Sequence, residues 1–303
     1  MATPRSKPAT GQLTRGSNAT ALVDSAIASL SSPHTRRAYR KGIDEMFAFA
    51  ERRAVTPALL QEWRGAMAKT LSSATVNARL TGARFLFEEG RRTGAIGEAQ
   101  AAALLRVEGM PFLGSRMGNW LTVEQSKRIL SVPNRKNLRG RRNYCILAVL
   151  LGTALRVSEL ATLDVETIQQ RDGRWVLADL FGKKGRVRTV AIPQWVMDSI
   201  KAWRQMTKIE SGKLIRQLTL APEGLSTHAI ARIVSRAGEK IGVPNLGPHD
   251  LRRTCARLMR KQGVSLEQIK IILGHASIQT TERYLGSIQD LVDAGNDHLG
   301  FVM

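Results

Sequence analysis

The chain has little of what several protein classes require. Two cysteines in 303 residues, Cys145 and Cys255, provide no disulfide framework, and each sits in an apolar helical pattern where a buried thiol is expected. No His/Cys arrangement has zinc-ligand spacing, and no Asp/Glu cluster has the pattern of a two-metal hydrolytic site; the residues call for no metal and no cofactor. The longest apolar run, Tyr144 to Leu151, is eight residues, far below the roughly 20 that span a bilayer. The opening residues M-A-T-P-R-S-K-P lack the apolar core of a signal peptide. A cytoplasmic protein is the expectation. Negative charge is also scarce: 25 Asp and Glu stand against 46 Lys and Arg, a formal charge of +21.

That imbalance favours a polyanionic partner, nucleic acid first. A membrane surface fits less well, because no helix carries a lopsided basic face. The excess is shared, +7 over residues 1–115 and +14 over the remainder. A polyanion gripped from two sides matches this better than one basic tail does. With 43% hydrophobic residues the chain can fold, and its length allows two domains.

Residues 1–18, rich in Ser, Thr, Pro and Gly, are expected to be a disordered tail. Residues 19–106 show helical periodicity throughout, with breaks at Ser31-Ser32-Pro33, Thr56-Pro57 and Ser72-Ser73. They predict a domain of four or five helices with Arg36, Arg37, Arg40, Lys41, Arg79 and Arg84 on outer faces. Those charges read equally as solvated surface or as contacts to nucleic acid. Residues 107–119 (V-E-G-M-P-F-L-G-S-R-M-G-N) lose the helical period and predict a linker.

The second domain, 120–303, opens with a helix after Leu121-Thr122. A buried helix follows from about Arg141 to Leu151, and the chain restarts in T-A-L-R-V-S-E-L with Arg156 at the break. One stretch alone signals strands. R-W-V-L-A-D-L-F alternates, Gly182-Lys183-Lys184-Gly185 turns, and R-V-R-T-V-A-I alternates again, predicting a β-hairpin with a basic tip that includes Arg186. Helices resume over 195–206 and 226–241.

Residues 247–285 carry the densest chemistry. Pro248 suits a first helical turn, and His249 and Arg252, three apart, project to one side of that helix. A second helix, roughly 265–273, stops at Gly274 with His275 directly after it. Thr280 or Thr281 is expected to cap a last helix bearing Tyr284, one of three tyrosines in the chain. Taken singly, each group has an ordinary structural explanation, and Arg156 could simply pair with Glu159. Two helices around G-H-A-S could also form a helix-turn-helix without chemistry.

Together, A-L-R-V-S-E-L, the G-K-K-G-R-V-R-T-V hairpin, H-D-L-R-R, L-G-H-A-S and T-T-E-R-Y, in that order, resemble the catalytic domain of the tyrosine recombinases, the phage integrase and Xer family. The likeness runs from about Leu121 onward, and residues 19–106 look like that family's core-binding domain. It implies a mainly α fold with a small antiparallel β-sheet, built as a helical core-binding domain plus a tyrosine-recombinase catalytic domain. It also assigns roles: Arg156 as first arginine, Lys183 as hairpin lysine, His249 and Arg252 as the H-x-x-R pair, His275 as the next position and Tyr284 as nucleophile. The hairpin departs from the pattern at Lys184, where glycine is usual. Lys183, directly after Gly182, is the preferred match, and Lys184 is the alternative.

The residue types suit that chemistry on their own terms. Attack on a phosphodiester puts extra negative charge on the non-bridging oxygens, which the arginine fork matches bidentately. A phenol with a reference pKa of about 10 needs nearby positive charge or a base to attack at neutral pH. The leaving 5′-oxygen needs a proton, which a hairpin lysine can deliver, and imidazoles can shuttle protons or hydrogen-bond the phosphate. The resemblance implies double-stranded DNA with specific sites as partner, a 3′-phosphotyrosyl intermediate without metal or ATP, a homo-tetramer on synapsed DNA, and residence in the nucleoid. Apolar residues after Tyr284 (Ile288, Leu291, Val292, Leu299, Phe301) could dock on a neighbouring protomer or on their own domain. The N-terminal tail is too short for the arm-binding domain of lambda-type integrases, and the spacing from Arg252 to His275 leaves no room for an integron-type insertion. Two other readings share the residues: a catalytically silent helix-turn-helix regulator and a type IB topoisomerase.

Overall fold

The computed structural model describes residues 17–111, 119–182, 185, 187–219 and 223–285. The chain divides into two compact units, Met1–Arg116 and Met117–Met303. The predicted tail lies almost wholly outside the described residues, as do most of the predicted linker, the hairpin-tip residues Lys183, Lys184 and Arg186, and everything after Leu285.

Among the described residues the first unit packs five helices: α1 (Ser17–Ala28), α2 (Pro33–Ala50), α3 (Pro57–Ala68), α4 (Ser73–Thr93) and α5 (Glu98–Leu105). Local chemistry sets their starts. Pro33 and Pro57 occupy first-turn positions, and the hydroxyls of Ser32, Thr56 and Ser72 accept from backbone N–H groups three residues on. Helices α2 and α4 meet at two glycines: a Cβ on Gly42 would stand 2.7 Å from the Arg79 carbonyl oxygen, and one on Gly82 would stand 2.9 Å from that of Tyr39. Reciprocal glycines let the backbones touch, and Ile43, Met46, Leu80, Ala83 and Leu86 fill the core around them. Val107 is buried in the same core, and Asn77 exchanges two hydrogen bonds with the backbone of Met110. The first residues of the predicted linker therefore belong to this unit's packing.

The six basic residues expected on the outside do not behave alike. Arg36, Arg37 and Lys41 are exposed, while Arg40 is half-buried and pairs with Asp24 at 2.6 Å. Arg79 and Arg84 are half-buried too. Arg79 pairs with Glu45 at 2.7 Å, and Arg84 donates to the Val107 carbonyl. The outer-face expectation is corrected for these last two, whose helix faces turn towards α2 and the chain after α5.

In the second unit, α6 (Val123–Ser131) begins with a capping box between Thr122 and Gln125. Helix α7 (Leu138–Thr153) is buried continuously from Cys145 to Leu151, so the longest apolar run is a central core helix. Burying each of its large side chains contributes roughly 1.5–3 kcal/mol. Both cysteines are buried free thiols. Helix α8 (Val157–Thr162) follows, with Arg156 as its N-cap. The strands β1 (Ile168–Arg171), β2 (Arg174–Phe181) and β3 (Val187–Ala191) form an antiparallel sheet in that order. The hairpin was legible in the sequence. Strand β1 was not, because I-Q-Q-R buries one residue of four and leaves no alternation to read.

Helices α9 (Gln194–Thr207), α10 (Thr227–Lys240), α11 (Pro248–Lys261), α12 (Leu266–Leu273) and α13 (Ile278–Leu285) complete the unit. Among the described residues no helix is long and apolar enough to cross a membrane. The last helix starts earlier than predicted. Ser277 accepts from the Thr280 backbone N–H at 3.2 Å, so Thr280 and Thr281 lie inside α13 rather than capping it.

Candidate active site

Helix ends build the centre of the site. Arg252, on the first turns of α11, is 2% exposed. Its Nη1 donates to the Ala154 carbonyl at 2.6 Å, and its Nη2 donates to that of Leu273. Ala154 ends α7 in a left-handed conformation (φ 52°), and Leu273 is the last residue of α12. A buried guanidinium without a bonded carboxylate is costly; two helix C-termini, each with partial negative charge, offset much of that cost. Burial, then the nearby Arg156, lowers the Arg252 pKa to about 10, so the group stays charged at neutral pH.

Arg156 stands beside it. Its backbone N–H and its Nη1 both donate to the Glu159 carboxylate, each at 2.8 Å, and its Nη2 reaches the Leu273 carbonyl at 3.4 Å. The pairing with Glu159 that explains Arg156 as an ordinary structural residue is present, yet it also points the guanidinium towards the carbonyl that Arg252 uses.

Glu159 has a second partner that sequence reasoning missed. Arg188 on β3 grips it with Nη1 and Nη2 at 2.9 and 2.8 Å, and donates from Nε to the Ile272 carbonyl at 2.9 Å. Burial alone would raise the Glu159 pKa, but its hydrogen bonds from Arg188 and Arg156 hold it down at about 2. Gly274, at φ 61°, lets Arg188 lie close: a Cβ there would stand 3.0 Å from Arg188 Cδ. A signal existed in the sequence. Arg188 shares strand parity with Val190, so an arginine occupied an inward position.

The imidazoles and the phenol complete the group. The rings of His249 and His275 meet the Tyr284 ring edge-on, with centroids 5.1 and 5.2 Å away. The Tyr284 hydroxyl donates to the His249 carbonyl at 3.2 Å, and His275 Nδ1 bonds the Thr281 hydroxyl at 3.0 Å, which fixes that ring's orientation. Burial and the arginines lower both histidines, His275 to about 4, so both are neutral imidazoles at pH 7. Burial pushes Tyr284 up to about 12, against the pull of Arg252 and Arg253. Five of the six predicted residues thus come together from four segments of one unit; the sixth, Lys183, lies outside the described residues.

Known proteins resemble this chain in sequence and in fold. The sequence pattern of the phage integrase family matches residues 119–289. The chain belongs to that family, the tyrosine recombinases. It is 30% identical to the tyrosine recombinase XerC of Mycobacterium tuberculosis (strain CDC 1551 / Oshkosh) over 84% of this chain and 88% of the relative. XerC of Thermodesulfovibrio yellowstonii is 28% identical over 84% and 85% of the two chains. Among solved structures, XerH in a post-cleavage complex with its palindromic difH substrate superposes with a TM-score of 0.70 at 18% identity, covering 84% of this chain and 77% of XerH. A lambda integrase dimer bound to a core site gives 0.69 at 18% identity, covering 88% and 95%. These two likenesses carry the fold; the relatives carry the family.

Proposed function

We propose that this tyrosine recombinase is a site-specific DNA recombinase that cleaves and rejoins strands through a 3′-phosphotyrosyl link to Tyr284. The observation that carries this reading is the convergence of two guanidiniums, two neutral imidazoles and one phenol from four separate segments. The Tyr284 oxygen attacks the scissile phosphorus as its proton leaves; His249 and His275, being neutral, are able to accept it. Arg156 and Arg252 take the charge that grows on the non-bridging oxygens. The P–O5′ bond breaks, and the 5′-oxygen leaves as a hydroxyl with a proton for which Lys183 is the candidate donor. A 5′-hydroxyl from another strand then attacks the same phosphorus and expels the phenol. The phosphotyrosyl bond keeps the energy of the phosphodiester, so strand exchange balances without ATP, and the two arginines supply the charge neutralisation that a metal otherwise brings.

The substrate is duplex DNA carrying recombination sites, bound in the cytoplasm. The similarity to XerH and lambda integrase, each solved on its DNA substrate, supports this, as does the charge of +21. Arg36, Arg37, Arg40 and Lys41 are proposed DNA contacts of the first unit, and Lys184 and Arg186 of the hairpin. Recombination between two duplexes needs four such sites, hence a homo-tetramer on synapsed DNA. A nicked suicide substrate tests the nucleophile. The wild-type chain should form a covalent adduct resistant to denaturant, and Tyr284→Phe should form none while binding the same DNA. An adduct from Tyr284→Phe would overturn the assignment.

A further inference from the structure

Helix α11 presents a stripe at four-residue spacing: His249, Arg253 and Arg257. All three meet α13. His249 packs edge-on to the Tyr284 ring, and Arg253 Cζ lies 5.2 Å from that ring's centroid. Arg257 Nη1 donates to the Leu285 carbonyl at 2.7 Å, while its Cζ stacks 3.7 Å over the Trp120 ring. Neither Arg253 nor Arg257 has a carboxylate within salt-bridge reach among the described residues. Arg253 Nε is buried with no hydrogen-bond partner there. Two cations have thus been drawn partly out of water on the flank of α13, and that placement requires a return. Most of a helix's stability in a folded protein comes from what it packs on. Among the described residues its apolar anchor is a small cluster, to which α13 contributes Leu285 and part of Tyr284.

We propose that Arg253 and Arg257 are positioning residues for the nucleophile. Together they clamp the Tyr284 helix onto α11 of the same chain, Arg257 through the Leu285 carbonyl and Arg253 through the face of the phenol ring. A cation over an aromatic face is attractive, and a hydrogen bond donated by a charged guanidinium is stronger than one from a neutral donor. The Trp120 ring keeps Arg257 extended towards that carbonyl. The proposal rests on Tyr284 as nucleophile and adds the residues that decide where its hydroxyl stands.

The test uses the full-length chain as wild type, Arg253→Met, Arg253→Lys and Arg257→Gln. Trypsin cutting after Arg283, within α13, reports docking of the helix without any activity. Both Arg253→Met and Arg257→Gln should speed that cut several-fold while cuts elsewhere keep their wild-type rates, and Arg253→Lys, which retains the cation, should return it towards wild type. With DNA saturating, single-turnover adduct formation should fall about 10-fold or more in the Met and Gln variants at unchanged Kd, because small misplacements of a reacting group are costly. Wild-type cutting rates in both variants would overturn the clamp. So would a weaker Kd with a salt slope reduced by about 1 for Arg253→Met, since that marks a phosphate contact instead. Should one variant fail to fold, the other decides alone. If the wild type gives no Tyr284 adduct, the nucleophile reading fails, and the trypsin arm still tests the clamp.

Discussion

Arg252 and Tyr284 are held in opposite ways. The arginine is 2% exposed and is tied to carbonyls at the ends of α7 and α12. Beside it Glu159, bonded to Arg156 and Arg188, links α8 to β3, and Arg188 links β3 to α12. The tyrosine sits on α13, which among the described residues meets the rest through Leu285, the Thr281–His275 bond and the α11 stripe. One half of the site is cross-linked into the core and the other is fastened to its surface. Preorganised donors stabilise charge best when they do not move. The Tyr284 hydroxyl depends for its position on the contacts of α13 instead.

Breaking the cross-linked half should give the largest effect. Arg252→Ala should lower single-turnover cleavage at saturating DNA by about 10²–10³. Arg252→Lys should recover little of it, because one ammonium cannot fork between the Ala154 and Leu273 carbonyls. A Lys variant with near wild-type rate would show that charge alone, and not the fork, matters. Next comes Arg188→Met, which takes from Glu159 its more buried partner. Denaturant unfolding should show a loss of about 3 kcal/mol, with the transition of the first unit unchanged; a loss below about 1 kcal/mol would place this network on a par with an exposed ion pair.

The smallest effect concerns the imidazoles that join the two halves. His249 and His275 have folded-state pKa values below the ordinary 6.5, His275 near 4. Between those values the unfolded chain binds more protons than the folded one. Stability should therefore be complete above about pH 6.5 and decline as pH falls towards 4. Thermal melts of His275→Gln should show a flatter decline over that window; an identical slope would mean that His275 does not carry the dependence.

The same contrast explains what the sequence made legible. Helix starts at Pro33, Pro57 and Thr122 depend on neighbours within a few residues, and they could be read directly. His249, Arg252, His275 and Tyr284 stood out because their spacing and company match a known pattern. Arg188, Arg253 and Arg257 did not, for their roles exist only once β3 and α13 lie against α12 and α11. The cap of α13 was misplaced because Ser277, Thr280 and Thr281 are all plausible caps in isolation. Thr281 is instead buried and bonded to His275. Strand β1 escaped notice since three of its four residues face solvent.

The central claim is that two guanidiniums and the Tyr284 phenol act on one phosphorus. Its most direct test pairs Arg156→Ala with a suicide substrate carrying a methylphosphonate at the scissile position, where a neutral methyl replaces a charged oxygen. The variant should fail on the ordinary phosphodiester yet form a covalent adduct on the methylphosphonate, mapping to Tyr284 by peptide mass. A folded variant that forms no adduct on either substrate, or one that maps to another residue, would contradict it.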